Sequence, residues 1–146
     1  MNINPVILSI PIYFLLIGVE LMVQWYSKKK LYRINDAITN ISCGITQQLS
    51  GIFFKVLGVG AYTIIYNYFA LFDIPSTWYT FLILFVGADF FYYWAHRKSH
   101  EINLFWGGHV VHHQSEDYNF SVALRQGSFH TFWTFAFYLP LALIGF

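Results

Sequence analysis

Apolar residues run along this chain in four blocks separated by short polar breaks, and the blocks are long enough to predict membrane-spanning helices. Residues 6–25 supply the first, since a crossing helix needs about 20 mostly apolar residues. Lys28, Lys29, Lys30 and Arg33 follow it. With no basic run before it and no small-residue cleavage site after it, the segment reads as a retained span rather than a removed signal peptide. A second span is expected within residues 52–71, with Lys55 close enough to its end to snorkel. Ahead of it, Ile38, Ile41, Ile45 and Leu49 recur at spacings of three and four. That pattern predicts an amphipathic lead-in over 36–50, capped by Asn35 or Asp36, lying in the interface or continuing the span. The break at Asp73, Pro75 and Ser76 precedes a third span over 78–94, and the fourth apolar block is 129–146, with Pro140 inside it. No repeat or flexible linker interrupts the pattern. The expected fold is all-α: a single integral membrane domain, 1–146, of about four transmembrane helices plus short interfacial helices.

Composition strengthens this. Of 146 residues, 57% are hydrophobic and 22% aromatic against 10% charged, where a soluble domain carries roughly 25% charged residues. So little charge could not cover a soluble surface of this size. The net charge of +1 argues against a nucleic-acid partner. One cysteine, Cys43, cannot form an intrachain disulfide. Charge placement also predicts orientation. Lys28, Lys29, Lys30, Arg33, Arg97, Lys98 and Arg125 fall on one side of the expected topology, whereas residues 1–5 and 71–77 carry no Lys or Arg. By the positive-inside rule that side is cytoplasmic. Arg97, Lys98 and Arg125 are read most simply as such charges, touching lipid phosphate, with a role near substrate or electron donor as the alternative, and Tyr92, Tyr93, Trp94 and Trp106 mostly as aromatic-belt residues. Glu20 is expected near the cytoplasmic end of the first span.

The chemistry is concentrated after the third block. Five histidines, His96, His100, His109, His112 and His113, fall within eighteen residues. At about 100° per residue, Asp89, Tyr93, His96 and His100 lie on one stripe of a helix. A carboxylate in a span is costly and normally faces the bundle or a metal ligand. Asp89 could therefore accept an N–H from a ligating imidazole and fix its tautomer, or pair with a tyrosine hydroxyl elsewhere. Gly107 and Gly108 permit a turn before His109. If the following residues are helical, His109, His113 and Glu116 share a face, with His112 offset. Two compact imidazole clusters point to metal binding. A structural zinc site would be complete with four ligands, so a surplus of imidazoles suits two metals, with iron the candidate for oxygen chemistry; spacing alone leaves zinc open.

The run His96-Arg97-x-x-His100-Glu101, followed by Trp106-x-x-His109-x-x-His112-His113, resembles the fatty acid hydroxylase and sterol desaturase superfamily of membrane di-iron enzymes. The continuation through Ser115, Glu116, Asp117, Tyr118 and Asn119, then Ala123, Leu124, Arg125 and Gln126, is similar to its alkylglycerol monooxygenase branch and bacterial relatives. The resemblance implies a membrane-bound oxidoreductase in which two non-haem iron ions activate O₂ and oxidise a C–H bond of a lipid substrate, by hydroxylation or desaturation. It makes His96, His100, His109, His112 and His113 ligands, lets Glu101 ligate or orient, and implies a reduced pterin or another external electron donor. The superfamily pattern also includes a third histidine box, which is not met before Phe146, so the domain reads as C-terminally incomplete. His130 is the one remaining histidine, read as an interfacial polar residue or as a further ligand. Asn119, Ser121 and Gln126 either line the site or cap and connect. The alternative reading is a non-catalytic membrane metal-binding module, or one part of a split enzyme. A zinc hydrolase is disfavoured because no HExxH occurs: Leu104 stands where its second histidine should be.

Overall fold

A computed structural model describes residues 5–146, with side chains from Ile10 onward. Residues 1–4, part of the N-terminal segment used in predicting orientation, lie outside the described residues. Every regular element is helical: α1 (Pro5–Ser27), α2 (Ile34–Phe69), α3 (Trp78–Glu101), α4 (Asn103–His109), α5 (His130–Ala136) and α6 (Leu139–Ile144), with 3₁₀ turns at Val110–His113 and Phe120–Leu124. No strand is present among the described residues.

The lead-in and the second span turn out to be one helix. At 1.5 Å per residue, the 36 residues of α2 extend about 54 Å, well beyond the roughly 30 Å hydrocarbon layer. Neither Asn35 nor Asp36 caps it. The cap is Arg33, in extended conformation, and Asp36 sits inside the first turn, where its carboxylate is free for tertiary bonds. α3 begins with a reciprocal Thr77–Thr80 capping box and continues seven residues past the predicted end at 94, carrying His96 and His100 out of the apolar block.

The fourth block departs most from expectation. Residues 129–146 do not form one straight helix but two short ones, α5 and α6. Pro140 stands in the first turn of α6, where its missing N–H costs nothing; inside one continuous helix it would have removed a bond. The broken pair packs against α2 and α3 and closes at the far end of α2, where Leu71 N donates to Leu143 O (2.9 Å) and Tyr62 Oη donates to Phe146 O (2.8 Å). Two helices, at Ile10–Ser27 and Ile34–Phe69, are long and apolar enough to cross a membrane.

Burial is inverted relative to a soluble protein. Among the described residues the buried set is mostly polar: Asn40, Thr80, Ser99, His109, Asn119, Ser121 and Arg125, against Ala95, Leu141 and Ala142 as the buried hydrophobic ones. Phe14, Leu15, Phe53, Val56, Phe81 and Phe85 point outward. In lipid an apolar side chain gains nothing by hiding, whereas a polar group must find a partner inside.

Candidate metal centre

The two histidine clusters meet because of a one-residue hinge. Ile102, extended at φ −108° and ψ 119°, is at once the C-cap of α3 and the N-cap of α4. Its N–H donates to Lys98 O (3.0 Å), and its carbonyl accepts from Trp106 N (2.8 Å). The chain thus breaks from one helix into the next with both backbone groups of the hinge residue itself paired. Gly107 and Gly108 lie inside α4, not in a turn. Gly108 and Gly127 allow close backbone approach: a Cβ on Gly127 would stand 1.8 Å from the Gly108 carbonyl oxygen. That approach seats α5 against α4 and sets the His130 ring beside His109, with centroids 4.9 Å apart.

Four imidazoles converge through one type of atom. Nε2 of His100 lies 3.4 Å from Nε2 of His96 and 3.2 Å from Nε2 of His109, which lies 3.1 Å from Nε2 of His113. The ligand atoms of His96, His100 and His109 all fall within 4.8 Å of one another. An imidazole nitrogen has one in-plane site, holding either a proton or a lone pair. His100 and His109 each meet two other Nε2 atoms, so hydrogen bonds among the rings cannot satisfy every contact. Lone pairs aimed at a shared cation can. Nitrogens about 2.0–2.1 Å from one ion stand about 2.8–3.4 Å apart at angles between 90° and tetrahedral, which matches the observed spacings.

His109 occupies the centre and is 3% exposed. Burial, reinforced by neighbouring imidazoles, pushes its pKa down to about 3. Burial also lowers His113 and His96. Each shift favours the neutral ring, the form that binds metal.

The remaining candidates sit around this centre. His112 stands beside the cluster, its ring centroid 5.4 Å from that of His113, and its Nδ1 lies 3.1 Å from the Arg125 carbonyl oxygen. Glu101 is exposed and held by Arg97 Nε (2.8 Å) and Lys98 Nζ (2.6 Å), hydrogen bonds that bring its carboxyl down to about 2. Asp89 is exposed on α3, two turns before His96, and among the described residues it makes no hydrogen bond to an imidazole. Glu116 does not share a face with His109 and His113; the helix ends at His113, and Glu116 pairs with Arg33 (2.8 Å). His130 approaches His109 rather than lying alone in an interface.

Arg125 differs most from its sequence reading. It is 8% exposed and its guanidinium is engaged inside the protein, donating to Val111 O (2.9 Å), Asn40 Oδ1 (2.9 Å) and Asp36 (3.2 Å). Asp36 also accepts from Ser115 Oγ (2.6 Å). Asn40 donates to Ser121 Oγ (3.0 Å), which donates to Asn119 Oδ1 (2.6 Å). Asn119 reaches on to Leu31 O (2.8 Å). Asn119 and Ser121 therefore connect and cap, tying residues 115–125 to the start of α2. The sequence signal was available in Asp36 and Asn40, polar residues one turn apart on one face at the head of a helix that continues into an apolar span.

A family model for fatty acid hydroxylase matches residues 81–146. Over 138 residues, 91% of this chain, it is 44% identical to the human alkylglycerol monooxygenase. It is also 39% identical over 132 residues to the Xenopus tropicalis protein of that name and 38% identical over 99 residues to one from Caenorhabditis elegans. The chain spans 30% of the human relative's length and 29% of the frog relative's. No solved structure matches it. The histidine-bearing segments lie inside the matched region, and the alkylglycerol monooxygenases are similar across nearly all of the chain, so this chain is similar to the fatty acid hydroxylase family over the part that carries its imidazole cluster.

Proposed function

We propose that this chain provides the first two histidine boxes of a membrane-bound, O₂-dependent non-haem di-iron enzyme that oxidises a C–H bond of a lipid. The observation that carries this reading is the row of Nε2 contacts, 3.1–3.4 Å, linking His96, His100, His109 and His113. Neutral imidazoles suit Fe(II) as they suit zinc; the fatty acid hydroxylase match and the monooxygenase relatives favour iron. When bound, iron supplies the oxidising power that a strong C–H bond demands and no side-chain acid or base can provide. The protein's part is placement: α3 and α4 present the rings, and burial keeps His109 neutral. His112 and His130 stand next to the cluster as further ligand positions. Arg97 and Lys98 hold Glu101 for an orienting role at the end of α3, and Asp89 lines the approach from the membrane.

The lipid would reach the site from the apolar faces of α2 and α3. The boxes would face the cytoplasm, where an external reductant such as a reduced pterin has access. The deciding measurement is iron and zinc per chain on detergent-purified protein, beside His109→Ala and His113→Ala. Iron that is lost in both variants is expected. Stoichiometric zinc, or no metal above the variants, overturns the reading. Oxidised lipid after incubation with O₂ and a reductant tests the reaction itself.

A further inference from the structure

Residues 111–112 and Arg125 grip each other twice. The Arg125 side chain donates from Nε to the backbone carbonyl of Val111 (2.9 Å), and the Arg125 backbone carbonyl faces Nδ1 of the His112 side chain (3.1 Å). Each residue thus fixes the other's backbone with its side chain. Only one tautomer of the neutral ring suits this pair: a carbonyl oxygen can only accept, so the His112 proton sits on Nδ1. Nε2 is then left as a lone pair, the ligand form. Gln126 Nε2 also stands 3.4 Å from the same nitrogen. An amide NH₂ would demand the opposite tautomer, but it is more distant than the carbonyl, and the same Nε2 donates to Ala123 O (3.4 Å).

The guanidinium could not hold this position alone. Buried, it needs a countercharge, which Asp36 supplies at 3.2 Å, and Asn40 Oδ1 takes a further N–H at 2.9 Å. Both belong to α2, a helix with no histidine. The grip on His112 is therefore anchored in a different element from the one that presents the ring.

We propose that Arg125 is a positioning residue for His112, its side chain locked by Asp36 and Asn40 so that its carbonyl sets the His112 tautomer and ring direction. The inference rests on the metal reading above. Its test is a double-mutant cycle on the full chain in detergent, with Co²⁺ as the probe and a chromophoric chelator as competitor. Arg125→Ala should weaken Co²⁺ binding about ten- to a hundredfold, the cost typical of losing an outer-shell partner. In a His112→Ala background the same change should alter affinity by less than about twofold, because the ring it orients is gone. Unchanged affinity in the single variant overturns the proposal, and so does an equal loss in both backgrounds, which marks a merely structural role. If Arg125→Ala does not fold, Asp36→Asn, which keeps side-chain size while removing the countercharge, runs the same cycle with the same criteria.

A second readout needs no metal. Imidazole ¹⁵N resonances of the metal-free, histidine-labelled protein should place the His112 proton on Nδ1, and Asp36→Asn should shift that tautomer balance. A proton on Nε2 overturns the proposal. A native chain that binds no Co²⁺ but keeps the Nδ1 proton, with the shift in Asp36→Asn, supports the grip while removing the metal reading, so the two failures are separable.

Discussion

α1 and α3 each carry a polar stripe up an apolar helix, and the stripes are built alike. On α1 the positions are Tyr13, Glu20, Gln24 and Ser27; on α3 they are Asp89, Tyr93, His96 and His100. Each set returns to one face within about 60° of arc at 100° per residue. Their partners differ completely. The α1 stripe reaches mostly main-chain groups: Tyr13 Oη donates to Phe120 O, Glu20 accepts from Phe120 N (2.8 Å), and Gln24 Oε1 accepts from Leu31 N (2.8 Å) and Tyr32 N (2.7 Å), with the Tyr32 hydroxyl, which donates to Glu20, the one side-chain partner named here. The α3 stripe delivers imidazoles to one another, with no N–H to receive every lone pair. A polar stripe thus says only that an apolar helix has a polar neighbour. Whether it clasps backbone or holds an ion depends on whether the side chains are satisfied without one.

The strongest way to break this contrast is His109→Ala. His109 touches His100 and His113 through Nε2 and packs its ring on His96 and His130. Its loss should reduce iron affinity by more than about 100-fold, beyond an outer-shell effect, while far-ultraviolet circular dichroism retains the helical signal. Metal retained near native affinity would mean that the Nε2 row is only a packing arrangement. Next comes Gly127→Ala, whose Cβ would meet the Gly108 carbonyl oxygen at 1.8 Å. Backbone must move, at a cost of about 1–3 kcal/mol or more, read as a lowered thermal midpoint in detergent together with weakened metal binding. On α1, Glu20→Leu should cost about 1–3 kcal/mol by stranding the Phe120 N–H, but the folded fraction should keep its full metal content. Loss of metal there in proportion to the loss at His109 would erase the distinction between the stripes.

Much of the imidazole cluster was legible in the sequence because histidine is both rare in spans and specific in chemistry. The spacing of His96 and His100 placed both on one helical face, and that is where they are. The convergence of the second cluster was less legible, since it depends on the Ile102 hinge and on helical glycines at 107 and 108 that look like a turn. Arg125 was misread because a basic residue beside a span has a simple surface explanation; its buried role depends on Asp36 and Asn40, some 85–90 positions earlier. Glu20 was read only by depth, since nothing local to it foretells Phe120 as a partner. The fourth block looked continuous because composition reports apolarity but not where a helix breaks; Pro140 marked the place, and α6 starts beside it.

The mildest test addresses the α1 clasp through pH. Tyr32 lies in the turn between α1 and α2, and burial, together with its hydrogen bond to Glu20, raises its phenol pKa above the usual value, which is about 10. An acid whose pKa is raised on folding contributes stability below its unfolded pKa and loses it as pH climbs through the folded one. Tyr32→Phe removes that contribution at every pH, at a cost of about 0.5–1.5 kcal/mol, while Glu20 keeps its bond from Phe120 N. The difference in thermal midpoint between the native chain and Tyr32→Phe should therefore be constant from neutral pH to about 10 and shrink above it. Other tyrosines titrate in both proteins and cancel in the difference. A gap that stays flat well into alkaline pH would mean the Tyr32 hydroxyl does not hold α1 to the turn, leaving Gln24 and the main chain to make the clasp alone.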